Sequence, residues 1–240
     1  MRTYILLAGA LCAAPSILAA QDTTRVRSLT LDVGLVNASG NSEFMSANFG
    51  EKLTWGRKNR WTVTQAAKFL YGETDGARTT ESYDLLLRGD RALSRRVDAF
   101  AFAAYQRDPF AGLASRWSGG PGVAWRVVQA ARDTLGLDAA ITAQSERSTA
   151  GVERSFGAAQ TAARYKHAFA SAAFFTQSLE LIANLKTSED YRVNSETALV
   201  APLSSKIALR VSYVIRFDNQ PEPTFKKTDR ILTTGIQVAL

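Results

Sequence analysis

The stretch SKIALRVSYVIRFDN, residues 205–219, places Ile207, Leu209, Val211, Tyr213, Ile215 and Phe217 at alternate positions, with Lys206, Arg210 and Arg216 among the residues between them. A β-strand sends successive side chains to opposite faces, so this pattern describes a sheet that separates two unlike surroundings. One face is continuously apolar and the other carries three cations.

The same period-two rhythm recurs from about Val26 to Leu240, in segments of roughly 10 to 14 residues separated by turn residues. It predicts strands over 27–37, 43–55, 60–71, 80–91, 97–107, 122–130, 134–146, 155–166, 171–184, 190–201, 205–218 and 228–240. No segment has a convincing helical period. Pro109, Pro121, Pro202, Pro221 and Pro223 are all expected in connections, where a missing N–H costs no ladder hydrogen bond. The run DPFAGLASRWSGGP, residues 108–121, reads as the one long connection. About twelve strands, an even number, return both chain ends to one side of a closed antiparallel sheet.

Alternation alone leaves open which face lies inside. Three observations choose. About eight strands enclose a space that side chains fill, whereas twelve leave a lumen too wide for apolar residues to plug. Aromatic residues gather near the segment ends, at Trp55, Trp61, Tyr71, Tyr83, Trp117, Tyr191 and Phe217, as expected of girdles at the two interfaces of a bilayer. The strands are also long: a tilted strand crosses hydrocarbon in about 9 to 11 residues, whereas soluble strands more often have about 5 or 6. The fold class read from these features is all-β, a transmembrane antiparallel up-and-down barrel. Strand parity then assigns Asp32, Lys68, Asp84, Arg88, Arg126, Asp138, Glu180, Glu196, Lys206, Arg210 and Arg216 to the lumen. Glu51 shares parity with Met45, Phe49 and Leu53, which turns a carboxylate toward lipid.

Met1–Ala20 has an early cation at Arg2, an apolar run centred on Ile5–Ala14, and small residues at Ala19 and Ala20. These are the features of a cleaved export signal, leaving 21–240 as one barrel domain. The single cysteine, Cys12, lies within the signal, so the mature chain has no thiolate for a disulfide or a metal site. Of the 240 residues, 46% are hydrophobic and 21% charged, within the globular range. Without Arg2, 28 cations face 22 carboxylates, a formal charge of +6. Those cations are scattered singly along strands and turns rather than clustered with aromatics, which argues against nucleic acid as a partner.

The final segment, FDNQPEPTFKKTDRILTTGIQVAL, resembles the closing hairpin of the salt-induced outer-membrane proteins, domain-of-unknown-function family 481. Asn219, Pro221 and Pro223 occupy the last loop, and Lys227, Thr228 and Asp229 open the last strand. The opening hairpin GLVNASGNSEFMSANFGEKLTW, with Gly40 and Asn41 in its turn, is similar to the family's first. The resemblance implies a bacterial outer-membrane barrel whose partners are outer-membrane lipid and lipopolysaccharide, and the barrel-assembly machinery during biogenesis. It transfers no catalytic residue. The chain ends in Leu240, where substrates of that machinery commonly end in an aromatic, although Ile236, Val238 and Leu240 keep the apolar alternation.

Little in the sequence suggests chemistry. His167 is the only histidine, and no nucleophile turn or acid partner for it can be picked out. The expectation is a non-enzymatic barrel with no cofactor or metal, of structural or small-solute permeation function. Its alternatives are a plugged binding barrel and an outer-membrane lipid hydrolase using His167. Asp218, Asn219 and Glu222 read as a solvated loop, with cation or lipopolysaccharide contact as the other reading.

Overall fold

A computed structural model describes residues 25–38, 44–57, 60–170 and 172–240. The predicted signal, Met1–Ala20, lies outside these residues. Twelve strands follow in order: β1 Arg25–Ala38, β2 Phe44–Arg57, β3 Trp61–Thr74, β4 Ala77–Ala92, β5 Val97–Asp108, β6 Leu113–Gln129, β7 Asp133–Ser148, β8 Glu153–Ala168, β9 Phe174–Asn184, β10 Tyr191–Pro202, β11 Ile207–Asp218 and β12 Thr228–Ala239. Each pairs antiparallel with its neighbours in sequence, and β12 returns to β1 to close the sheet. Closure leaves two ends. At one, β1 begins and β12 finishes; the other, the loop end, holds the β5–β6, β7–β8, β9–β10 and β11–β12 connections.

The sheet carries its polar and apolar residues on opposite surfaces. Leu31, Val33, Phe49, Leu53, Phe69, Leu85 and Leu87 pair across β1–β4 on the outer wall, while Asp32, Lys68 and Asp84 fall on the intervening inward rows. The outward apolar residues stay exposed along the strands, Val33 at 52% and Ile141 at 58%. A continuous exposed apolar band on a closed sheet is the surface of a barrel that crosses a bilayer.

Five expectations are corrected. The long connection over 108–121 is in fact a single 3₁₀ turn, Pro109–Ala111, capped by Asp108 and closed by Gly112, which adopts a left-handed φ of 80°. The sixth strand starts at Leu113 rather than 122. Pro121 therefore lies inside β6. It pairs with Ala101 on the β5 side, while the β7 ladder passes directly from Gly119–Ala143 to Gly122–Ala140, so the missing N–H falls where no ladder bond is made. Pro202 is the last residue of β10. The segment GETDGART is a two-residue hairpin, with Asp75 and Gly76 both at positive φ, as an Asp-Gly turn favours. Among the described connections the longest is the β11–β12 loop, residues 219–227.

Candidate functional site: the ionic bore and its roof

The bore is lined by the inward rows of all twelve strands. Following the pairings around the barrel puts eleven cations on these rows: Lys52, Lys68, Arg88, Arg116, Arg126, Arg154, Arg164, Lys166, Arg192, Arg210 and Arg216. Eleven carboxylates share them: Asp32, Asp84, Asp90, Asp98, Asp108, Asp138, Glu146, Glu180, Glu196, Asp218 and Asp229. The inward strand residues therefore carry no net charge, although the chain as a whole is basic.

Many of these charges meet across the bore rather than along one wall. Arg216 on β11 reaches Asp84 on β4 at 2.7 Å and Asp108 at the end of β5 at 3.2 Å, nearly a full diameter away in strand order. Lys68 on β3 meets Glu196 on β10 at 2.7 Å, and Glu196 also accepts from Arg210. Asp138 on β7 accepts from Arg88 on β4 and Arg164 on β8. Glu146 on β7 is the most heavily used carboxylate. It takes Arg116 at 2.8 Å, Arg192 at 3.0 Å and Arg154 at 3.3 Å, with its own side chain 4% exposed. Arg192, 6% exposed, continues to Asp218 at 2.9 Å.

An apolar patch interrupts the charges. Phe100 and Phe102 point inward from β5 onto Gly122 and Gly120 of β6, and the Arg88 guanidinium lies 3.7 Å over the Phe100 ring. Glycine is required at 122, because a Cβ there would lie 2.4 Å from the Phe100 ring and 2.6 Å from the carbonyl oxygen of Ala139.

At the loop end, residues 219–227 fold over the mouth. Glu222 accepts from Arg154 of β8 at 3.0 Å, and Phe225 packs against Gly112 at the β5–β6 turn so closely that a Cβ on Gly112 would be 2.9 Å from its ring. The β5–β6 turn stands six strands from this loop, so the loop crosses the opening. Beneath it is a cavity of about 460 Å³ whose lining includes Arg88, Phe100, Arg116, Glu146, Arg192, Arg216, Gln220, Pro221 and Glu222.

Of the residues assigned to the lumen from sequence, Asp84, Arg88, Arg126, Asp138, Glu180, Glu196, Arg210 and Arg216 stand on inward rows with the partners given, Arg126 joining Asp98 and Glu180 accepting from Gln160 and Asn194. Lys206 does not: it lies in the turn before β11, because that strand begins at Ile207. Sequence reading missed Arg116, Glu146, Arg154 and Arg192, the densest cluster. Arg116 is in phase with Ser118, Gly120, Gly122, Ala124 and Arg126, a signal hidden once 108–121 is read as loop. Asp218, Asn219 and Glu222 are all engaged by cations, namely Arg192, Lys227 and Arg154.

On the outer wall, Trp55 and Trp61 sit toward the end where β1 begins, and Tyr71, Tyr83, Trp117, Tyr191 and Phe217 toward the loop end. Tyr105 packs tilted against Trp117 with centroids 4.8 Å apart, and Tyr191 against Phe217 at 5.8 Å. Glu51 is on this wall, 3.4 Å from the Gln65 amide. His167 also faces outward. Its Nδ1 lies 2.8 Å from Asp133, which accepts from the Tyr165 hydroxyl as well, so the acid partner that sequence could not supply comes from the strand pairing of β7 with β8.

Twelve antiparallel strands closed on themselves, oily outside and ionic within, define a transmembrane up-and-down β-barrel. The chain belongs to the family described as "Protein of unknown function, DUF481", whose model matches residues 31–240. No curated protein matches it significantly. Among solved structures it is similar to the NanC porin, at 8% identity and a TM-score of 0.49, over 89% of this chain and 98% of that one. It is also similar to the translocator domain of the autotransporter NalP from Neisseria meningitidis, at 12% identity and a TM-score of 0.47, over 89% and 87% of the two chains. A third is the anion-selective porin from Comamonas acidovorans, at 9% identity and a TM-score of 0.41, over 90% and 99%.

Proposed function

We propose that this protein is a non-enzymatic bacterial outer-membrane barrel, exported through a cleaved signal and seated in lipid and lipopolysaccharide by its aromatic girdles. Its resting bore is closed. The observation that carries this reading is the set of ion pairs joining opposite walls, above all Arg216 with Asp84 and Asp108, beneath a loop that crosses the mouth. A water-filled pore of porin type keeps its centre free of such bridges. Here the barrel acts as a braced envelope wall that admits small polar solutes only when the braces and the 219–227 loop give way.

The association with salt carried by the family resemblance fits this arrangement. Lys68 is 57% exposed, Arg164 54% and Arg154 40%, so their pairs are among those salt reaches. The Debye length falls from about 10 Å at 0.1 M to about 3 Å at 1 M salt, which weakens exposed pairs first. Purified protein in planar bilayers is expected to show little steady conductance at low salt, and more than the proportional increase as salt rises. Arg216→Ala combined with Glu222→Ala is expected to open it at low salt. Large steady conductance from the unmodified protein at low salt refutes the closed bore. Lipid hydrolysis abolished by His167→Ala would instead establish the enzyme reading.

A further inference from the structure

The wall is not evenly sewn. Every neighbouring pair of strands is matched over ten to fifteen register positions except β1 with β12, which is matched over four, from Thr30–Ala239 to Val33–Ile236. A further reciprocal pair of backbone bonds joins Leu29 and Leu240. Beyond Val33 and Ile236 the two strands run on, and among the described residues β1 is held there only by β2 and β12 only by β11. The fork falls at two glycines. A Cβ on Gly34 would lie 2.4 Å from the carbonyl oxygen of Thr234, and one on Gly235 would lie 2.5 Å from that of Val33.

Exposure locates the same gap independently. Outside turns and chain ends, the most exposed large apolar side chains on the described wall are Leu35 at 69% and Leu232 at 66%, one on each lip beyond the fork. On the bore side of the fork is a pocket of about 110 Å³ with Asp32, Asn48, Arg210, Ser212 and Thr233 in its lining. The lining cations Lys68, Arg210 and Arg216 are matched by Asp32, Asp84 and Glu196, so the pocket is polar without net charge.

Unpaired peptide groups facing hydrocarbon are among the costliest arrangements a membrane protein can adopt, and open sheet edges are tolerated only where protein or water-lined space covers them. The gap therefore calls for an occupant that offers hydrogen bonds to the two edges and apolar surface to the two leucines. We infer that the loop-end half of the β1–β12 junction is a lateral port that takes an amphiphile. Its uncharged hydroxylated head lodges by Asp32, Asn48 and Thr233, and its alkyl chain lies between Leu35 and Leu232. This inference does not depend on the axial bore being closed.

The test uses the full chain in phosphatidylcholine vesicles. Continuing the register, Leu35 would oppose Thr234, so Leu35→Cys with Thr234→Cys places thiols across the gap, and Leu31→Cys with Val238→Cys places them across the sewn part. The 31/238 pair should oxidise to a disulfide and the 35/234 pair should stay reduced, since a disulfide needs Cα atoms about 4.4–6.8 Å apart. A monoacylglycerol with a photoreactive diazirine at its chain end should label Leu35, Leu232 and the outward residues beside them above other outward positions. That labelling should be lost when the 35/234 thiols are bridged by a short bis-alkylating reagent. Spontaneous, complete oxidation of the 35/234 pair would show a closed seam and overturn the port. So would labelling spread evenly around the outer wall, or an intermolecular disulfide from Leu35→Cys alone, which would show a second copy covering the edge.

Discussion

Removing the Glu146 carboxylate tests the idea that the bore is held together by charges that can be satisfied nowhere else. Glu146→Ala withdraws the acceptor from three arginines, but unequally. Arg116 keeps only the neutral Gln106 amide oxygen at 2.9 Å. Arg192 keeps Asp218 at 2.9 Å and Asp190 at 3.8 Å, and Arg154 keeps Glu222. Orphaning one member of a buried pair costs about 3–5 kcal/mol. Arg116 approaches that case and Arg192 only partly. The half-exposed Arg154 adds no more than about 1 kcal/mol. The expected loss is therefore about 3 kcal/mol, set chiefly by Arg116. Glu146→Gln keeps the shape and one acceptor and should fall between. Lys68→Ala is the control: its side chain is more than half exposed, so its pair with Glu196 should contribute about 1 kcal/mol or less. Urea unfolding of the barrel in lipid vesicles reads these differences, followed by tryptophan emission and by the gel mobility of unheated protein. A Glu146→Ala barrel as stable as the unmodified one, or a Lys68→Ala barrel that is weaker still, would refute the argument.

Other expectations follow from the same geometry. Ile141→Arg puts a cation at the middle of β7 on the outer wall and should cost about 2–4 kcal/mol in vesicle unfolding, falling toward zero for the same change near a strand end. Gly122→Ala should cost about 1–3 kcal/mol by overpacking. Phe100→Leu should recover only part of that, because the carbonyl of Ala139 cannot move aside as a ring can. In a bore with balanced charge, ion selectivity should be weak: the reversal potential of any opened variant under a potassium chloride gradient should lie near zero, and strong anion selectivity would show that the inward rows are not balanced.

Most of the strands were legible because they follow from local alternation, which a closed sheet preserves over its whole length. What failed was local as well. Pro121 read as a break because proline interrupts ladders, yet at this position its ring faces the stretch of β7 where the ladder is already skipped. That one misreading removed Arg116 and half of β6 from view. The Asp75–Gly76 turn was visible as a dipeptide, but the polar residues around it read as a longer loop. Lys206 was placed in the lumen because the strand was read from 205, two residues before it begins. Phe100 and Phe102 were invisible as lumen residues because aromatic side chains on a barrel are expected outside; only the glycines opposite them make inward room.

No reading of alternation could have paired the charges. Lys68 and Glu196 are 128 positions apart, and Arg216 and Asp84 are 132 apart. Which cation meets which carboxylate is decided by the stagger of strands that touch only after closure. A half-formed sheet would present the same inward residues with their partners absent, and an unpaired charge against an apolar or crowded surface is unfavourable by several kcal/mol. The ion pairs therefore favour the closed cylinder over every open intermediate far more than they favour any one strand. This lets the β1–β12 junction remain short: the walls are drawn together through the bore, above all by Arg216 reaching across it to Asp84 and Asp108, so the seam itself need not carry the whole task of closure.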